Sequence, residues 1–340
     1  TNVQHATFSP DGTRIISSSS DCTSIIWDAN TGAFLMIPKG EVTELSGYVY
    51  SKKNKILVTG QIDGYIRFWK TGYGQLLKSS NEHNSWITAI ALSEDESKVA
   101  TVSKSGQISI WETSSGIFLN KWDAHDRWVV DVKFSFDGKK IITGSWDKTA
   151  AVWEVATGKL IFRMNKHRGN VDAVDISRDG RYTLTASWDS TIQIWQTNDR
   201  KLFKTLRTET PLALTRISLD NRFVVGGGGG TVYCWDFATG KLLYTKQFGT
   251  QVIDLEITED GKRINILYSG NPQFFNDRPG QFTQYDLATG KEVFEIESPG
   301  ENGDPVSFSA DDKNKQYLLA TSNGKVTLHS LTEPEKKESE

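Results

Sequence analysis

Three of the five histidines in this 340-residue chain, His83, His125 and His167, stand 42 residues apart. Imidazole is a common metal ligand and general base, so even spacing raises the question of a zinc or proton-transfer site. The companions such chemistry needs are missing from the sequence. It holds no H-E-x-x-H pair, no G-x-S-x-G nucleophile turn and no C-x-x-C-H haem attachment, and Cys22 and Cys234 sit in no metal-ligand or redox spacing. Residues 226–230 are five consecutive glycines, yet no Lys-Ser or Lys-Thr follows. That run reads as a tight turn between strands rather than a phosphate cradle. The histidines are better explained as one position in three copies of a repeat. No catalytic residue and no cofactor is expected.

Tryptophan sets the period of that repeat. Trp27, Trp69, Trp111, Trp153 and Trp195 follow one another at intervals of 42, and Trp235 comes 40 later. Tyr285, 50 residues on, and His329, 44 beyond it, continue the series with substituted anchors. Eight anchors in one register mean eight copies of one supersecondary unit. Residues 125–164 show its content: β-rich runs at 129–134, 140–143, 149–153 and 160–164, separated by Asp137-Gly138, Asp147-Lys148 and Thr157-Gly158. Short strands punctuated this way are an all-β signal, and nothing shows helical periodicity over ten residues. One four-stranded meander cannot bury both of its faces, whereas eight arranged radially bury them on one another. The expected fold is an eight-bladed β-propeller of four-stranded antiparallel blades, forming one domain over residues 1–331 with a charged, disordered tail at 332–340.

The segments SSSDCTSIIWD, TGSWDKTAAVWE and TASWDSTIQIWQ resemble the WD-repeat family, in which a Ser, an Asp and a Trp close each unit. Each of the three spaced histidines also precedes its anchor tryptophan by 28 residues, as that family's pattern has it. A physical reason lies behind the set. An indole N–H only donates, so a buried Trp needs an acceptor such as a Ser hydroxyl; the Ser donates to His, whose other nitrogen donates to Asp. Blades four and five carry complete sets: His125, Ser145, Asp147, Trp153, and His167, Ser187, Asp189, Trp195. Blade one has Ser19, Asp21 and Trp27. Blade two has Gln61 in the Ser place, and blade three has Ser105 where Asp is expected. Blades six to eight lack the set and must cohere by apolar packing.

Blade eight supplies three strands before the charged segment LTEPEKKESE. In the family the missing strand commonly comes from the other terminus. The expectation is that Thr1 continues a longer polypeptide whose upstream segment completes blade eight. Thirty-nine basic against 42 acidic residues, a formal charge of -3, give no electrostatic case for nucleic acid. No apolar run approaches a membrane span, and no secretory pattern or N-glycosylation acceptor occurs, so the expected location is the cytoplasm.

The remaining tryptophans are off the anchor register. Trp122 reads as core. Trp146 and Trp188 precede the turn aspartates between second and third strands, while Trp86 and Trp128 follow the repeat histidine on the loop entering the first strand. Both loop classes open on one face of a propeller, and Arg127 and Arg168 share them. Aromatics with arginines dominate binding hot spots, so these six residues are the expected protein-binding surface. Phe274 and Phe275, in the eight-residue excess of blade seven, are a second candidate. The alternative is an enzyme or a ligand- or metal-binding propeller that uses the axial channel, where the repeat aligns His5, Asp131 and Asp254, with Asp172 and Asp304 one position away.

Overall fold

Blade four shows how the residues make the unit. Its strands, Val129–Phe134, Lys140–Ser145, Ala150–Glu154 and Leu160–Met164, pair antiparallel in sequence order, with Val132 opposite Thr143, Thr143 opposite Ala151 and Val152 opposite Phe162. Their turns use left-handed backbone at Gly138, Lys148 and Gly158. The second and third strands are almost continuously buried, because neighbouring blades cover both faces. The fourth strand alternates exposed and covered residues, as an outer edge should.

The computed structural model describes residues 3–8, 14–19, 24–36, 45–71, 75–258, 260–268, 281–297, 305–311, 316–321 and 326–330. Among these residues there are eight sheets, seven with four strands and one with three. The three-stranded sheet is the last, built from Pro305–Asp311, Gln316–Thr321 and Val326–Ser330. First strands of neighbouring blades run beside one another from blade two to blade eight, and the ring closes where Pro305–Asp311 lies against Val3–Phe8. Residues 332–340 and the Phe274–Phe275 segment fall outside the described residues.

Apolar side chains join blades one to seven, each to the next. Ile26 of blade one packs with Leu57 and Trp69 of blade two. Val102, Ile108 and Ile110 of blade three meet Val129, Ile141 and Trp153 of blade four. Blades six and seven, without the polar set, share Val225, Val232, Leu255, Ile264 and Tyr285. Burying one such aromatic removes about 150–250 Å² from water, so a single indole per blade is a large part of the adhesion.

The five-glycine run is only partly a turn. Gly226, Gly227 and Gly228 lie within the strand Phe223–Gly228, and only Gly229 and Gly230 turn, at φ of 57° and 80°. Packing explains the strand glycines: a Cβ on Gly226 would meet Ile192 at 2.7 Å, and one on Gly228 the Pro211 carbonyl oxygen at 2.1 Å.

Two features of the fold position the candidate site. In each of blades three to five, the loop entering the first strand is hydrogen-bonded to the loop between second and third strands: Lys104 N–H to Trp86 C=O, Trp146 to Trp128, and Trp188 to Asn170. The first strand also carries a bulge, in blade five between Val171 and Ala173, which leaves Asp172 unpaired and free to aim elsewhere.

Candidate functional site

Those paired loops bring four tryptophans into one ladder. Trp86 lies against Trp128 (ring centroids 5.8 Å apart), Trp128 stacks on Trp146 at 4.6 Å with planes 7° apart, and Trp146 meets Trp188 at 6.2 Å. The ladder crosses blades three, four and five on a single face. Its ends are open: Trp86 is 39% exposed and Trp188 51%. Large aromatics exposed to this degree side by side are unusual on a closed surface.

Polar groups hold the ladder in place. Asp172 accepts the Trp146 indole N–H on one carboxylate oxygen at 2.9 Å and the Trp188 N–H on the other at 2.5 Å. Burial raises the Asp172 carboxyl above its usual range, outweighing the two indole donors that lower it, and nearby Asp131 adds to the rise. The Lys104 ammonium sits 4.3 Å from the Trp128 ring centroid and 5.6 Å from that of Trp86. Lys104 went unnoticed in the sequence although it occupies the repeat position of Trp146 and Trp188, 42 and 84 residues earlier. Arg127 and Arg168 are exposed on the same loops. The structure thus places six predicted residues on one face, four of them in mutual contact.

The buried network beneath differs from the expected one. Trp153 donates its N–H to Thr143 Oγ1 at 3.0 Å, not to Ser145, and Thr143 also meets His125 Nε2 at 2.8 Å. His125 Nδ1 lies 2.8 Å from Asp147 Oδ2, which puts the ring proton on Nδ1 and leaves Nε2 to accept from Thr143. Strand register explains the substitution. Trp153 pairs with Ile141, so Thr143 is its diagonal neighbour on that face, while Ser145 is a further two residues along, beyond the indole's reach. Ser145 and Ser187 instead accept the backbone N–H of Asp147 and Asp189. In blade five His167 joins Asp189 at 3.0 Å and Thr185 at 2.7 Å, but the Trp195 N–H has no hydrogen-bond partner among the described residues.

Burial acts on these groups in opposite senses. It raises Asp147, but the His125 hydrogen bond and charge and the Thr149 donors outweigh it and hold the carboxyl well below its usual range. In blade three Ser105 replaces the aspartate, and buried His83 keeps Thr101 on Nε2 at 2.7 Å while Nδ1 has no hydrogen-bond partner among the described residues. Burial, reinforced by the Lys121 charge, lowers the His83 imidazole to about 4. The three evenly spaced histidines therefore serve separate blades. Among the described residues no group of three or more His, Cys, Asp or Glu gathers.

The described axial candidates, Asp131 and Asp254, are tied up locally. Asp131 accepts the backbone N–H of Val132 and of Val174 in the next blade, and Asp254 accepts from Leu255 and lies 3.7 Å from Arg216. His5 is on the first strand of blade one, its side chain outside the described residues, as is Asp304. At the opposite mouth of the channel lies a cavity of about 610 Å³, lined among others by Lys133, Phe136, Asp175, Arg178, Arg216 and Glu256. There, burial raises the Asp175 carboxyl despite the lowering charges of Arg216 and Lys133. No helix of the structure is long and apolar enough to cross a membrane.

Comparison with known proteins agrees with this architecture. The WD domain, G-beta repeat family matches residues 1–28, 74–112, 116–154 and 158–196, and the family described as outer membrane protein assembly factor BamB matches 185–333. The chain is 30% identical over 98 residues to a WD repeat-containing protein 55 homolog of Dictyostelium discoideum, covering 29% of this chain and 24% of that protein. It is 25% identical over 101 residues to mouse (Mus musculus) apoptotic protease-activating factor 1, covering 30% of this chain and 8% of that protein. The matches thus span a quarter or less of either relative. Among solved structures, the computationally designed Ika8 protein superposes with a TM-score of 0.81 at 22% identity, over 97% of this chain and 96% of the other. The C-terminal WD40 domain of Sif2 superposes at 0.82 with 16% identity, over the same shares. The repeats and the closed ring of blades make this chain a WD-repeat β-propeller.

Proposed function

We propose that this WD-repeat β-propeller is a non-catalytic docking platform that takes a partner protein on the tryptophan ladder of blades three to five. The single observation that carries the reading is the ladder itself: four indoles fixed by stacking, by one shared carboxylate and by paired loops, with both ends open to solvent. Rigid aromatic groups lose little entropy on binding and shed much apolar surface, which is what a hot spot requires. The ring beneath is stiff, so the loops are held in place before the partner arrives.

The axial channel supports the alternative, ligand binding or catalysis, less well. Asp131 and Asp175 already accept backbone amides of neighbouring strands, and Arg216 faces Asp254. Charges that satisfy one another offer a ligand few free partners.

The test compares parent and Trp146→Ala/Trp188→Ala chains as bait. With both chains folded at the assay temperature, the double variant is expected to lose partner capture by about tenfold or more. Equal capture by both chains removes the ladder from consideration. Loss of capture on blocking the opposite channel mouth instead would favour the alternative.

A further inference from the structure

The loops that carry the ladder also decide what kind of partner it fits. Five cations stand on them: Lys104, Arg127, Lys148, Lys166 and Arg168, all exposed. None has a carboxylate within ion-pair distance among the described residues. Acids occur there too, but most are turned inward and occupied. Asp147 receives the His125 ring and the Asp126 amide, Asp189 the His167 ring and the Arg168 amide, and Asp172 both indoles. Glu82 is half-buried and takes the Ser80 hydroxyl, and exposed Asp123 takes the Gln107 amide, which leaves Asp126 and, on the loop entering blade six, Glu209 as exposed carboxylates. The surface around the ladder therefore offers five exposed cations to a ligand against two such carboxylates.

Resting on the docking reading above, we propose that the partner presents an acidic segment in which Asp or Glu alternates with apolar or aromatic side chains. Carboxylates would take the guanidinium forks of Arg127 and Arg168 and the ammonium groups of Lys104 and Lys148, in charge-assisted hydrogen bonds. Apolar side chains would cover the open ends of the ladder at Trp86 and Trp188. Lys104 is seated over two rings by cation–π attraction, yet among the described residues no hydrogen bond from its ammonium to a protein acceptor competes with a ligand. A single-stranded nucleic acid is also anionic, but the parallel faces of Trp128 and Trp146 are closed on each other and leave no slot for successive bases. The formal charge of -3 adds no general attraction for a polyanion.

Panning a phage-displayed random dodecapeptide library on the folded chain tests this, with Trp146→Ala/Trp188→Ala as the counter-selection. Recovered peptides are expected to be net negative and to carry aromatic or branched aliphatic residues. Their synthetic forms should bind about tenfold or more weakly to Lys104→Gln/Arg168→Gln, and weaken as salt rises from about 0.05 M to about 0.5 M. Ladder-dependent peptides that are neutral or basic overturn the acidic assignment and leave the docking surface standing. Peptides that bind the tryptophan variant as well as the parent, or no enrichment at all, overturn both. Tighter ladder-dependent binding of an oligothymidylate than of any recovered peptide overturns the assignment in favour of nucleic acid.

Discussion

Trp146 and Trp188, from adjacent blades, donate to opposite oxygens of the one Asp172 carboxylate. Asp172 lies on neither of their loops. A bulge in the first strand of blade five turns it toward both, so the spacing of two surface aromatics is set from the wall of the axial channel. The ladder is thereby part of the ring and not a decoration of its rim.

Replacing Asp172 with Asn leaves one carbonyl acceptor for two donors. One indole, Trp188 being the more exposed, should turn to water at a cost of about 1 kcal/mol. Because the folded carboxyl is raised, its contribution to stability is full below the unfolded value of 3.8 and is lost as pH rises through the raised folded value. Tryptophan emission of the parent should therefore titrate above the ordinary carboxylate value, and that step should vanish in Asp172→Asn. Persistence of the step in the variant would assign it to another group.

The hydroxyl relay gives an order of effects. Thr143→Val strips the partner from both Trp153 and His125 and should cost about 2–6 kcal/mol, two buried groups at about 1–3 each. Thr185→Val affects His167 alone, since Trp195 already lacks a partner, and should cost less. Ser145→Ala should cost least. Urea unfolding midpoints of the three variants check the ranking; a larger loss at Ser145 than at Thr143 would contradict it.

His83 is held neutral at about 4. The unfolded chain takes up a proton near pH 6.5 and the folded one does not, so stability falls as pH drops from 6.5 toward 4. The total is on the order of 3 kcal/mol. Ser105→Asp supplies the acceptor that His125 and His167 have. It should raise the His83 value and flatten this acid-side loss, measurable as Tm against pH beside the parent.

Gly106 has a φ of 85°, and a Cβ there would lie 2.0 Å from the His125 carbonyl oxygen. Lys148, at the same repeat position one blade on, keeps a φ of 71° with a full side chain, so the collision and not the dihedral is decisive. Gly106→Ala should cost about 3 kcal/mol and displace the loop carrying Trp128. The coupled near-ultraviolet dichroism of the Trp128–Trp146 stack should weaken in step. An unchanged band would mean that the two loops move independently.

The anchor series, at 42 residues as far as Trp195 and at 40, 50 and 44 beyond it, disclosed the blades, because a large side chain wedged between sheets recurs wherever a sheet does. It also put Trp86, Trp128, Trp146 and Trp188 on one face, since loop class fixes the face. Contacts between blades were not legible in the same way. That Asp172 serves two indoles depends on a bulge no spacing announces, and at strand precision Thr143 and Ser145 lie on one face, so only register separates them. Lys104 could have been found by asking what blade three has where blades four and five have tryptophan.

Site-directed photo-crosslinking tests the central claim most directly. A benzophenone amino acid replaces Arg168 beside the ladder or, as the control, Leu219 at the opposite mouth of the channel. The account predicts partner adducts from position 168 that fall away in the Trp146→Ala/Trp188→Ala background, and none from position 219. Adducts from 219 alone, or adducts from 168 indifferent to the loss of both tryptophans, would contradict it.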